Sequence, residues 1–202
     1  MTHTEGGVAS TAGSRLTIVT PEDWYRLPLL EEPALERAVA EFVGRQFRGK
    51  DDRPTLRREF VHVLRQQAHR AREGGAVDMY LSGLPVGGVP LAISLVVTLV
   101  PFPSGVRSLD AVAPALDDDG VQATVVELPS GSAVRRQRVD TVDLDDLADP
   151  GTPPLDTLLV DYLLPGPGDT ALLLAFSSPL VPIAEALAEL FEAVAGTVRW
   201  SA

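Results

Sequence analysis

The stretch TLLVDYLLPGPGDTALLLAF (Thr157–Phe176) decides the fold. Two apolar, β-prone runs, Thr157–Leu164 and Thr170–Phe176, flank Pro165, Gly166, Pro167 and Gly168. A link this short joins antiparallel neighbours, because a parallel pair needs a crossover of about a dozen residues. The pattern repeats upstream, where Val121–Leu128 and Ala133–Val139 flank Pro129–Ser132. Before them, Leu91, Ile93, Leu95, Val97 and Leu99 alternate with Ala92, Ser94, Val96 and Thr98. Both faces of that run are largely apolar, which predicts a central strand. Val77–Leu84 reads as a further strand, and Ser108–Leu116 as a short helix broken near Pro114.

Helical spacing lies outside this meander. Leu35, Ala38, Val39, Phe42 and Gln46 predict a first helix, opened by Pro33 beside Glu31 and Glu32. Pro54 opens a second, with Asp52 as its cap and Leu56, Phe60, Val63, Leu64, Gln67 and Ala71 as its inner face. Gly74 and Gly75 end it. A last helix, near Pro182–Ala195, has an apolar stripe of Ile183, Leu187, Leu190, Phe191 and Val194. The order predicts an α+β two-layer sandwich: an antiparallel β-meander covered by an N-terminal helix pair and a C-terminal helix. Helices are expected on one sheet face, with Arg135, Gln137, Gln122 and Thr124 on the other. Residues 1–14 read as a disordered lead-in, and 15–202 as one domain.

Composition narrows the chemistry. The chain has 202 residues, 45% of them hydrophobic, and no cysteine. Disulfides, thiol nucleophiles and thiolate metal sites are thereby excluded. A net charge of −11 opposes binding to nucleic acid or an anionic membrane surface. The longest apolar run, Leu91–Pro103, is shorter than the roughly 20 residues that span a bilayer. The expectation is a cytoplasmic protein with no membrane insertion and no cofactor.

Motifs are few. The sole lysine, Lys50, sits in no phosphate-binding loop. Gly166, Gly168 and Ala171 match a dinucleotide-binding pattern, but a β-prone run follows them where a helix is required. No G-x-S-x-G elbow occurs. Asp117, Asp118 and Asp119 lack calcium-loop spacing, and Asp140, Asp143, Asp145, Asp146 and Asp149 read as a solvated acidic loop. His62 and His69 stand about 10 Å apart along their helix, too far to share a metal ion.

One constellation has a physical pattern. Arg58, His62, Arg65, His69 and Arg72 recur at spacings of four and three on the second helix. They fall within an arc of roughly 80° and make a cationic stripe about 21 Å long. Such a stripe can dock an acidic partner protein or pair with the loop around Asp140–Asp149.

The opening LTIVTPEDW (Leu16–Trp24) leads a short strand through proline to tryptophan. At the other end, Ala171–Phe176 passes through Ser177, Ser178 and Pro179 into an amphipathic helix with Phe191 and Val194, then into Thr197–Trp200. These ends resemble PsbP-like domains, with a longer helix pair, Glu31–Glu73, than that fold usually has. The resemblance implies a non-enzymatic binder or assembly factor. That group includes chaperones that hold secretion-system effectors on an apolar sheet face.

The leading expectation is therefore a non-catalytic protein-interaction module, an adaptor or chaperone-like factor. It would use a partly apolar sheet face and the Arg58–Arg72 stripe. One alternative is a small-ligand binder or enzyme with a pocket between helix pair and sheet, where Asp78, Tyr80, Asp161 and Tyr162 would supply polar groups. The other is a structural homo-oligomer, such as a homodimer.

Overall fold

The computed structural model describes residues 4–6, 10–11, 14–48, 54–82, 85–86, 89–90, 92–102, 109–117, 121–142 and 154–201. In chain order they form β1 (Thr4–Gly6), β2 (Ser10–Thr11), β3 (Ser14–Thr20) and β4 (Trp24–Pro28), then α1 (Glu32–Gln46) and α2 (Pro54–Glu73). Next come β5 (Ala76–Ser82), β6 (Pro85–Val86), β7 (Val89–Pro90), β8 (Ser94–Pro101) and α3 (Leu109–Val112). The chain continues through β9 (Ala123–Leu128), β10 (Gly131–Val142), β11 (Leu155–Pro165) and β12 (Thr170–Ser178) to α4 (Ala184–Ala195) and β13 (Arg199–Ser201). The fold is an α+β sandwich built on a seven-stranded antiparallel sheet of order β4-β5-β8-β12-β11-β10-β9. The hairpin quoted above pairs Leu164 with Leu172 and Val160 with Phe176.

The alternation of β8 has a direct cause. Leu95 and Val97 enter one apolar cluster with Phe176, Leu187 and Phe191. Val96 packs against another, built from Leu35, Val39, Phe42, Leu64 and Ala68. Successive strand residues point to opposite faces. The helix pair therefore covers one face and α4 the other, so the helices do not share a face as the sequence suggested. The α4 face also carries a small sheet in which β3 pairs with β1, β2 and β13. Thr4–Gly6 and Ser10–Thr11 thus have strand partners within the stretch expected to be disordered. Thr197 locks this layer to α4, accepting from the Val19 N–H at 2.9 Å and donating to the Val194 carbonyl at 2.6 Å.

Arg135 and Gln137 lie on this second face but are not simply solvated. Arg135 reaches Glu192 of α4 at 3.5 Å and Gln137 beside it. On the helix-pair face, a third cluster seats Leu109 and Val112 of α3 over Ala171, Val134 and Leu163.

Candidate functional site

The inner face of α2 differs from its periodicity. Only Leu64 and Ala68 are buried there, whereas Leu56 is 47% exposed and Phe60 36%. The small Ala68 lets the helix approach the sheet along a line displaced from the expected one. Phe60, Val63 and Gln67 are left facing sideways, and they wall a groove with Phe42 and Gln46 of α1. Its floor is Met79, Leu81, Ala92, Ile93 and Ser94, and its volume is about 360 Å³. Among the described residues, the lining side chains include no acid or base, and the site can hold an apolar group.

The cationic stripe meets α1. Arg65 donates to both carboxylate oxygens of Glu36, with Nε to Oε1 at 2.9 Å. Arg72 Nη1 donates to Glu32 at 2.8 Å, and His69 Nε2 lies 3.9 Å from the same carboxylate. Arg58 bonds the Pro54 carbonyl of its own helix at 3.4 Å, and His62 is exposed. Among the described residues, the partner of Arg65, His69 and Arg72 is α1. Of the acidic loop, Asp140 lies at the end of β10 and accepts from Arg138 Nε at 2.8 Å. Asp143, Asp145, Asp146 and Asp149 lie outside the described residues, as do His3 and Asp52. Glu32 and Glu36, one helical turn apart, were the overlooked signal for this seam. Exposed pairs contribute little. Arg65→Gln/Arg72→Gln should lower stability by about 2 kcal/mol or less and reduce its salt dependence, as urea melts at low and high salt would report.

The four residues of the pocket alternative split between faces. Asp161 is on the helix-pair side, where Arg136 Nη2 and Arg138 Nη1 donate to it at 2.8 and 2.9 Å. Asp78, Tyr80 and Tyr162 are on the α4 side. Asp78 is 2% exposed and paired with Arg26, whose Nε donates at 2.8 Å. Burial raises the Asp78 pKa, opposed by the hydrogen bond and charge of Arg26. Burial, then the Asp78 charge, pushes Tyr80 well above an ordinary phenol. Tyr162 is pushed up to about 12, mainly by burial. Both hydroxyls are buried without a hydrogen-bond partner among the described residues. Neither lines the groove.

Among the described residues, no cluster of three or more His, Asp or Glu is arranged for a metal, and no helix is long and apolar enough to cross a membrane. Compared with known proteins, the chain matches no protein-family model and no curated protein.

Proposed function

We propose that this chain is a non-catalytic protein-interaction module, an adaptor or chaperone-like factor that holds an apolar segment of another protein in the α2 groove. The supporting observation is an apolar arc on α2 wider than the fold buries. Leu56 and Phe60 lie beyond the Leu64–Ala68 contact and continue the groove's apolar wall toward solvent. Exposed apolar surface contiguous with a groove marks interaction sites more often than isolated side chains do. The PsbP-like resemblance points the same way, toward assembly factors rather than enzymes.

The reading is tested by photo-crosslinking in the native host. A photoreactive residue replacing Phe60 should form adducts with another polypeptide, while one replacing Glu189 on exposed α4 surface should not. Equal adduct formation at both positions, or none at position 60, would remove the docking role.

A second reading has its own support. About 360 Å³ falls within the range of small-molecule sites, so the same groove could hold a small apolar ligand. Native mass spectrometry of the purified protein should then show a co-purifying mass that denaturation releases.

A further inference from the structure

A second cleft lies on the opposite sheet face from the groove, between α4 and β10. Its volume is about 550 Å³, within the range of small-molecule sites. Arg135 and Gln137 of β10 form one wall, and Glu185, Ala188, Glu189 and Glu192 of α4 the other. The three carboxylates recur at spacings of four and three, which sets them on one face of the helix. α4 carries no basic residue to answer them. Arg135 is the one cation in the walls, and it lies 3.5 Å from Glu192 with Gln137 beside it. Among the described residues, Glu185 and Glu189 have no hydrogen-bond or ion-pair partner.

This arrangement works against the helix. Like charges one turn apart, as in Glu185 and Glu189, destabilise it. Glu192 stands in the last turn of α4, where the negative end of the helix dipole disfavours a carboxylate. A bound cation would offset both.

The inner end of the cleft carries a second, independent sign of a ligand. Tyr162 pairs across the strands with Arg135, so the two side chains leave the sheet on the same face. The Tyr162 ring meets Phe176 edge-on, and Phe176 stacks on Phe191, the neighbour of Glu192 in α4. The hydroxyl lies close enough to Arg135 and Glu192 for both charges to act on it. Tyr162 is 0% exposed, and that hydroxyl has no hydrogen-bond partner among the described residues. A buried hydroxyl left unbonded is costly. A donor entering beside Glu192 would satisfy it.

We infer that this cleft binds a small organic cation of the alkyl diamine class. One ammonium takes the place of Arg135 at Glu192 and donates to the Tyr162 oxygen. The second reaches Glu189 or, with a longer chain, Glu185. Along the helix axis these residues stand about 4.5 and 10.5 Å from Glu192, the reach of a short alkyl chain. Ala188 and Gln137 give the methylenes a neutral wall. The site is separate from the α2 groove and does not depend on the docking role proposed for it.

Isothermal titration calorimetry of the whole chain with 1,4-diaminobutane at low salt is the test. One molecule should bind per chain. Affinity should fall about threefold to fivefold on Glu189→Gln, and by at least as much on Tyr162→Phe, which keeps the ring. It should rise on Arg135→Gln, because that change removes the internal competitor at Glu192. A merely structural role for Arg135 would give the reverse. Glu41→Gln, on α1, should change affinity by less than about twofold. Glu189 and Arg135 lie at the surface, so their variants decide the matter even where Tyr162→Phe disturbs the core. No saturable binding at millimolar diamine would overturn the inference. So would equal competition by magnesium chloride, which would reduce the effect to the field of an acidic surface. A tetralysine peptide binding about tenfold tighter than the diamine would make the cation a partner's side chain and overturn the small-ligand site as well.

Discussion

Arg26→Met is expected to destabilise the chain by about 3–5 kcal/mol at neutral pH, because it strands a buried carboxylate without its partner. Asp78 is 2% exposed in the middle of β5, and Arg26 reaches it from the edge strand β4. The carboxylate loses most of its hydration on folding, and burial therefore raises its pKa despite Arg26. A carboxyl whose folded pKa is raised contributes its full stability below the unfolded pKa and loses it as pH rises through the folded value. Removing Arg26 takes away both influences that lower the pKa, so the folded value rises further. The gap between variant and native protein should accordingly narrow as pH falls, in denaturant melts at neutral and mildly acidic pH. The double variant Arg26→Met/Asp78→Leu should recover most of the loss, since it removes both charges from the site. A double variant as unstable as the single one would show that the pair does more than satisfy itself.

Period-two patterns are legible where turn chemistry frames them. Pro165–Gly168 and Pro129–Ser132 announced antiparallel hairpins, and the structure contains both. The two-faced β8 was legible too, but not what covers each face. Periodicity says which residues share a side and is silent on what lies opposite. That same limit misled the reading of α2. Its apolar residues define a broad arc, and only the depth to which Ala68 lets the helix settle selects Leu64 over Phe60 for burial. The groove exists because of that rotation of a few tens of degrees, which no spacing rule contains. The spacing of the cationic stripe is legible in the sequence, but not what it faces. Its engagement with Glu32 and Glu36 depended on the antiparallel register of α1 against α2, a tertiary fact. Asp78 carried no sequence signal of burial beyond its apolar neighbours Val77 and Met79.

Phe176→Ala should cost about 3–5 kcal/mol in thermal or urea melts, as expected for a fully buried aromatic whose cavity cannot collapse. Phe176 stacks on Phe191 of α4 at 4.6 Å between ring centroids and meets Tyr162 and Trp24 edge-on at 6.0 and 6.4 Å. It thereby joins β12 to its neighbours β11 and α4 and to β4 near the start of the chain. Phe60, at 36% exposure, meets the rings of Phe42 and Phe47 at centroid distances of 6.2 and 5.9 Å. Phe60→Ala removes area that is already partly in water, so its cost should be about 1 kcal/mol. The two phenylalanines therefore make opposite predictions. One variant should lose stability and, where still folded, keep its groove. The other should stay folded and lose partner binding. A Phe60→Ala variant as unstable as Phe176→Ala would mean that α2 uses its whole apolar arc for folding, which leaves nothing to present to a partner.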